Sequence, residues 1–359
     1  MYEPNLQLTH TILNSLMKFE ILKTKMEDTE LGDKIKRDMD SRVKATNLLH
    51  IGHLVGINLT LKDAEKVADG KRLQTEDARG TILTNYRNVL EFTRSSVADS
   101  YSEIDINVLL HLNKIMLTDW KETWEARFRS GGESPDPIYD NWLDLRDKDI
   151  EPVRIQEELG MLIEWYKSNL SKVHPLIRIG IFVYKLMRIA PFTVLNKLTI
   201  IAVTDYLMHK SKYSQLTFIP SSRNFDIYED EYIEAWTNSI QGKYNPESNK
   251  LEQKDNITLW IERFTRNLSN EILENRTYAT RKVSEQKETV KQPFLDLNKR
   301  QLKILRYLQT IPTVKREDFV QMMNVSTMTA YRDLNDLAKK KLIKIEGNGR
   351  GTKYMLANR

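Results

Sequence analysis

The 359 residues include no cysteine, which excludes disulfides, thiolate zinc sites, iron–sulfur clusters and a cysteine nucleophile. Glycine (13) and proline (10) are scarce, which disfavours a sandwich of many short strands and favours helices. Long apolar runs are missing as well. Ile177–Val183 and Leu198–Met208 are too short to span a bilayer, and Asp205 interrupts the second, so no membrane partner is expected. The opening residues carry no basic stretch followed by an apolar one, so no secretory signal and a cytoplasmic location are expected. What is present is ordinary for a globular protein: 40% hydrophobic and 29% charged residues, in a length of about two domains.

Charge is unevenly spread. From Leu295 to Arg359 there are 14 Lys/Arg against 6 Asp/Glu, a net +8, while the other 294 residues sum to −3. A basic segment beside a near-neutral body is the composition of a nucleic-acid-binding appendage, though a merely soluble surface has the same signature. Before that segment, apolar residues recur at helical spacing. Leu109, Leu110, Leu112, Ile115 and Met116 form one stripe, and Leu159, Leu162, Ile163 and Tyr166 another. Ile177, Ile181, Tyr184, Leu186 and Met187 have little polar relief around them and predict a central buried helix. Arg129–Asp140 and Tyr244–Asn256 read as loops. Ile257 to Gln292 reads as a long charged connector helix, broken at Gln292-Pro293.

Of the six histidines, His50 and His53 fall three apart on one helical face, a spacing that suits two metal ligands. No third ligand or carboxylate accompanies them in sequence. No metal site is therefore expected, and His10, His50, His53, His111, His174 and His209 are read as structural or exposed. His174, just before Pro175, marks a helix start.

The last 65 residues have a legible pattern. Lys299–Gln309 and Lys315–Met323 read as helices, Asn324-Val325-Ser326 as a turn, and Ser326 as the cap of a third helix. In that helix Ala330, Leu334 and Leu337 face inward, which leaves Thr327, Met328, Tyr331 and Arg332 outward. Leu342–Glu346 and Thr352–Leu356 alternate like strands around the glycine-rich tip Gly347–Gly351. This resembles the winged helix-turn-helix domain of bacterial transcription regulators. The resemblance implies double-stranded DNA as partner. Tyr331 and Arg332 would contact bases or phosphates in the major groove, and Arg350 and Lys353 on the wing would contact backbone or minor groove. A winged helix used for dimerisation or protein contact is the alternative.

Between about residues 40 and 275 a second resemblance appears. His174-Pro-Leu-Ile-Arg178 opens a segment that reaches Ala190-Pro-Phe-Thr-Val-Leu-Asn-Lys-Leu-Thr-Ile-Ile201. Upstream stand Leu54-Val-Gly-Ile-Asn-Leu-Thr-Leu61, Tyr86-Arg-Asn-Val89 and Arg127-Phe-Arg129. Together these are similar to the Fic family of nucleotide-transferring proteins, whose active loop reads His-Pro-Phe-x-(Asp/Glu)-Gly-Asn-Gly-(Lys/Arg)-x-x-Arg. The resemblance implies that the general-base position is Ala190 and the magnesium-holding acid is Val194. The two loop glycines are Leu195 and Lys197, and the two phosphate-binding arginines are Leu198 and Ile201. Pro191, Phe192 and Asn196 are retained. Val55 stands where autoinhibited members carry a glutamate that pairs with the second arginine. Loss of the base forfeits a factor of ~10²–10⁴, and loss of the acid removes the loop's anchor for the ion. Lys197 is expected to be solvated, with an anion site at a helix N-terminus as the alternative, and Asn196 to cap the helix it opens.

The sequence thus predicts a mainly α protein. A Fic-like helical body (1–95 an N-terminal helical region, 96–290 a core with its connector helix) precedes a small winged-helix α+β domain at 295–359. The expected function is a DNA-binding regulator or interaction protein, a pseudoenzyme without catalytic residues, working as a homodimer. One alternative is a Fic-type protein nucleotidyltransferase; another is a protein-interaction adaptor with a protein partner. No cofactor is expected, and ATP with Mg²⁺ enters only with the nucleotidyl-transfer alternative.

Overall fold

The computed structural model describes all but residues 1, 30, 74–77, 97–102, 122–125, 132–149, 212, 214–218, 240–241, 246–249, 254, 296, 348 and 358–359, with the backbone alone for 242–245, 250–253, 286–295 and 350. The chain groups into two compact units, Met1–Ala279 and Thr280–Arg359.

The first unit opens with α1 (His10–Glu27), α2 (Asp33–Leu54), α3 (Leu61–Ala68), α4 (Arg79–Ser95) and α5 (Ile106–Leu117). Local chemistry sets several starts. The side chains of Thr9, Thr60 and Asp105 accept the N–H groups of Ile12, Asp63 and Val108, donors that the first helical turn leaves unpaired. α6 (Ile155–Ser168) leads into α7 (Pro175–Ile189) and α8 (Asn196–Lys210). His174 caps α7 as expected, its Nδ1 accepting from the Leu176 N–H at 3.2 Å. Every residue from Leu176 to Ile189 except Lys185 is buried, as is every residue from Asn196 to Met208. The α7–α8 hairpin is therefore the centre of the core.

α9 (Ser221–Ile227) and α10 (Glu229–Ser239) follow. The stretch read as a loop after them is a hairpin instead. β1 (Gly242–Asn245) pairs antiparallel with β2 (Lys250–Gln253), Gly242 opposite Gln253 and Asn245 opposite Lys250. Each strand is only four residues long, so no sustained period-2 signal marks it. The other loop reading, Arg129–Asp140, lies outside the described residues beyond Gly131. α11 (Thr258–Leu295) then runs through Pro293. The expected break is displaced to the helix end two residues later, where the proline is already in the last turn. At its buried start, Trp260 Nε1 donates to the Gly180 carbonyl at 2.9 Å. A Cβ on Gly180 would sit 2.9 Å from Ile261 Cδ1 and 3.0 Å from Phe264, so glycine is what lets α7 and α11 come this close.

In the second unit, α12 (Lys299–Thr310) starts at a reciprocal Asn298–Gln301 capping box. Then come β3 (Val314–Lys315), α13 (Arg316–Met323), α14 (Thr327–Lys339), β4 (Ile343–Glu346) and β5 (Lys353–Leu356). The sheet order is β3-β5-β4, all antiparallel. The short strand β3 was not legible. It takes Lys315 from the expected second helix, which starts at Arg316. Ser326 caps α14 as expected, accepting from Thr329 N–H at 3.2 Å. Ala330, Leu334 and Leu337 are buried with Ile304, Leu308, Phe319 and Tyr354. At the wing tip Gly347 has φ +82°, and a Cβ there would meet the Gly351 carbonyl at 3.1 Å. Among the described residues no helix is long and apolar enough to cross a membrane.

Candidate functional site

The loop between α7 and α8 is bracketed by two non-glycine residues in left-handed conformation, Ala190 (φ 42°) and Leu195 (φ 60°). Each costs roughly 1–2 kcal/mol relative to right-handed backbone, and the surroundings hold both in place. Arg129 is buried and donates three times to main-chain carbonyls: Nε to Ala190 at 3.0 Å, and Nη2 to Ile189 and Ile150 at 3.2 Å each. It thereby serves carbonyls at the α7 C-terminus that lack intrahelical donors. The backbone on either side of Phe128 bridges that of Phe192, with Arg129 N–H donating to the Pro191 carbonyl at 2.9 Å. Asn113 Nδ2 donates to the Val194 carbonyl and to Thr199 Oγ1, both at 3.0 Å.

Asn196 does not cap α8. It is the first helical residue, and its side chain folds back, accepting from Phe192 N–H and donating to the Phe192 carbonyl, each at 2.9 Å. Its polar capacity closes the loop. Lys197 is not solvated. It is only 4% exposed, and its Nζ donates to Glu229 Oε1 at 2.6 Å. The expectation failed because Glu229 comes from the start of α10, 32 residues later in sequence. The remaining positions singled out by resemblance are apolar. Ala190, Leu195, Leu198 and Ile201 are at most 2% exposed, Val194 is partly buried, and Val55 is fully buried.

On the second unit the outward face of α14 is as expected. Thr327, Met328, Tyr331 and Arg332 are exposed, and so is Lys353 on β5. The Arg350 side chain lies outside the described residues. The inward face is fixed by charge as well as by packing. Asp333, buried, accepts from Arg300 Nε at 2.7 Å and Asn298 Nδ2 at 2.8 Å, which ties α14 to the start of α12. Sequence reasoning missed Arg316, which with Tyr331 and Tyr354 lines a cleft of about 480 Å³ between α14 and the wing. It also missed Asp226, which comes from α9 to the His50–His53 pair on α2: His50 Nδ1 lies 2.6 Å and His53 Nδ1 3.2 Å from one carboxylate oxygen. No spacing rule links residues 176 positions apart.

Comparison with known proteins bears on both units. Residues 300–349 match the model of the DeoR-like helix-turn-helix domain. No curated protein matches the chain. Among solved structures, a Fic family protein from Desulfovibrio desulfuricans G20 aligns over 100% of this chain and 99% of its own, at 17% identity and a TM-score of 0.57. A Fic domain containing signaling protein from Bacteroides thetaiotaomicron VPI-5482 aligns over 75% of this chain and 96% of its own (18%, 0.53). Fic-1 from C. elegans aligns over 73% and 71% (16%, 0.53). At these identities the likeness establishes the fold. The chain is a Fic-type helical fold with a helix-turn-helix domain and small sheet at its C-terminal end.

Proposed function

We propose that this Fic-type fold with its helix-turn-helix domain is a DNA-binding regulator whose body has lost nucleotidyl transfer. The carrying observation is the outward face of α14, where Thr327, Met328, Tyr331 and Arg332 stand exposed at the helix start. That end of a recognition helix is the one that reaches base edges in a major groove. The net +8 of the segment favours a polyanion. A single recognition helix has a small footprint, so a homodimer presenting two of them on two half-sites is the working unit.

Loss of transfer chemistry rests on the α7–α8 loop. From Ala190 to Ile201 the chain has no histidine and no carboxylate. Asn196 is spent on Phe192 and Lys197 is paired with Glu229. Nothing in that stretch would deprotonate a hydroxyl or anchor a magnesium ion. Purified protein incubated with labelled ATP and Mg²⁺ is accordingly expected to carry no adduct. Ala190→His is expected to stay unlabelled, since the phosphate and metal positions remain apolar. Mg²⁺-dependent labelling of the wild type that persists through stringent purification would restore the enzyme reading.

The DNA reading is tested by fluorescence anisotropy on a panel of duplexes across a salt series. Binding should weaken steeply with salt, because phosphate contacts release counterions. Arg332→Ala should narrow the affinity range across the panel by ~1–3 kcal/mol, the cost of a lost base contact. Light scattering on the same samples should give two chains per duplex. Failure to bind any duplex at low salt would leave the winged helix as a protein-contact module.

A further inference from the structure

We infer that His50, His53 and Asp226 form a binding site for a divalent transition-metal ion of the zinc class. The inference goes beyond the regulator reading and does not depend on it. The site is built across two helices. His50 and His53 present their Nδ1 atoms from successive turns of α2, and Asp226 presents Oδ2 from α9. The three donor atoms lie within 4.8 Å of one another. Two imidazoles and a carboxylate are a borderline donor set, suited to zinc and its neighbours, whereas magnesium and calcium take oxygen ligands throughout. Ligand bonds of about 2.0–2.2 Å place neighbouring donors roughly 3.0–3.5 Å apart. The His53–Asp226 pair, at 3.2 Å, already has that spacing. The His50–Asp226 pair, at 2.6 Å, needs to open by roughly half an ångström.

Two features make this a positioned site rather than a chance meeting of side chains. One turn before the donors, α2 and α9 are clamped together. Ser222 N–H and Oγ donate to Asn47 Oδ1 at 3.1 and 2.6 Å, and Oγ also reaches the Asn47 carbonyl at 3.0 Å, all of it buried. The neighbouring cation is also drawn elsewhere. Arg223, beside the site on α9, pairs with Glu271 and Glu274 on α11, and the Asp226 carboxylate is hydrogen-bonded to the two histidines. His50 is buried and gives the site a fixed wall. His53, with its side chain 37% exposed, gives it an opening to solvent. With three protein donors, the ion keeps at least one position for water or a further ligand.

The test uses full-length protein with any affinity tag removed, titrated calorimetrically with Zn²⁺ and, separately, with Co²⁺ followed by its visible absorption. One ion per chain is expected, with a rise in melting temperature, and no binding of Mg²⁺. His53→Gln changes an exposed side chain and should fold normally. It is expected to weaken Zn²⁺ binding at least about tenfold, since even outer partners of metal ligands are worth 10–100-fold. Asp226→Asn should do the same and should abolish the thermal shift. If the wild type takes up no stoichiometric Zn²⁺, or if His53→Gln and Asp226→Asn bind it as the wild type does, the cluster is only a carboxylate shared by two hydrogen-bonding histidines and the inference fails.

Discussion

Replacing Asp205 by Asn should tilt the stability of the helical body upward with rising pH, and replacing His209 by Gln should tilt it the other way. Both residues sit on α8, and His209 Nδ1 donates to the Asp205 carbonyl at 3.0 Å. Burial pushes the Asp205 carboxyl up from 3.8 to about 6, against the opposing pull of hydrogen bonds such as that from Tyr86 at 3.1 Å. Burial pushes the His209 imidazole down from 6.5 to about 4. Between about pH 4 and 6 the folded chain holds a proton on Asp205 that the unfolded chain has released. That contribution favours folding at low pH and is lost as pH rises through 6. Over nearly the same window the unfolded chain holds a proton on His209 that the folded chain does not. That contribution is full above pH 6.5 and is lost as pH falls toward 4. Each is worth roughly 3 kcal/mol at most, two pH units at ~1.4 kcal/mol per unit, and they oppose. In the wild type the pair nearly cancels. Asp205→Asn keeps an acceptor for Tyr86 and unmasks the histidine, so its stability relative to wild type should rise by roughly 3 kcal/mol from pH 4 to 7. His209→Gln should lose a comparable amount relative to wild type over the same range. Unfolding followed by tryptophan fluorescence reads this out selectively, because all six tryptophans precede residue 280. Difference curves that stay flat with pH would show that neither group is desolvated as the structure has it.

What could be read from the chain alone follows the range of the interactions involved. The winged helix was legible almost residue by residue because its determinants are local. Ser326 caps its own helix, Ala330, Leu334 and Leu337 lie on one stripe, and glycines sit at the wing tip. Only Val314–Lys315 escaped, since a two-residue strand has no period to detect. The buried α7 was legible for the same reason, its apolar residues running all the way round. The loop after it was half legible. Its apolar character was plain, but its closure by Asn196 and by Arg129 was not. Arg129 lies about sixty residues upstream of the carbonyls it serves at Ile189 and Ala190. The meeting of His50 and His53 with Asp226, and of Lys197 with Glu229, was illegible because only the packing of helices distant in sequence creates it. Pro293 shows the converse limit: a strong local signal located the end of α11 but not its final residue.

Glu229→Gln should destabilise the helical body far more than Lys197→Met, although the two residues form one ion pair. The asymmetry comes from burial. Lys197 is 4% exposed on the inner face of α8, and the Glu229 side chain is 27% exposed at the start of α10. Removing the carboxylate takes the Glu229 charge away from a buried ammonium, and breaking a buried pair from one side costs about 3–5 kcal/mol. Glu229 keeps some contact with solvent in the wild type, so the lower part of that range is expected, about 3 kcal/mol. Removing the ammonium instead puts a flexible apolar chain of similar length at a buried position of α8, and leaves a partly exposed carboxylate that can turn toward water. That exchange is expected to fall within about 1 kcal/mol of wild type, in either direction. The double variant should recover most of the loss, giving a coupling energy near 2 kcal/mol of the kind that neighbouring groups show. Tryptophan-detected unfolding in urea on all four proteins measures it. Equal and small effects for both single variants would mean that water or other polar groups serve Lys197 in place of Glu229. An ammonium so loosely tied to Glu229 would be available to an anion at the start of α8.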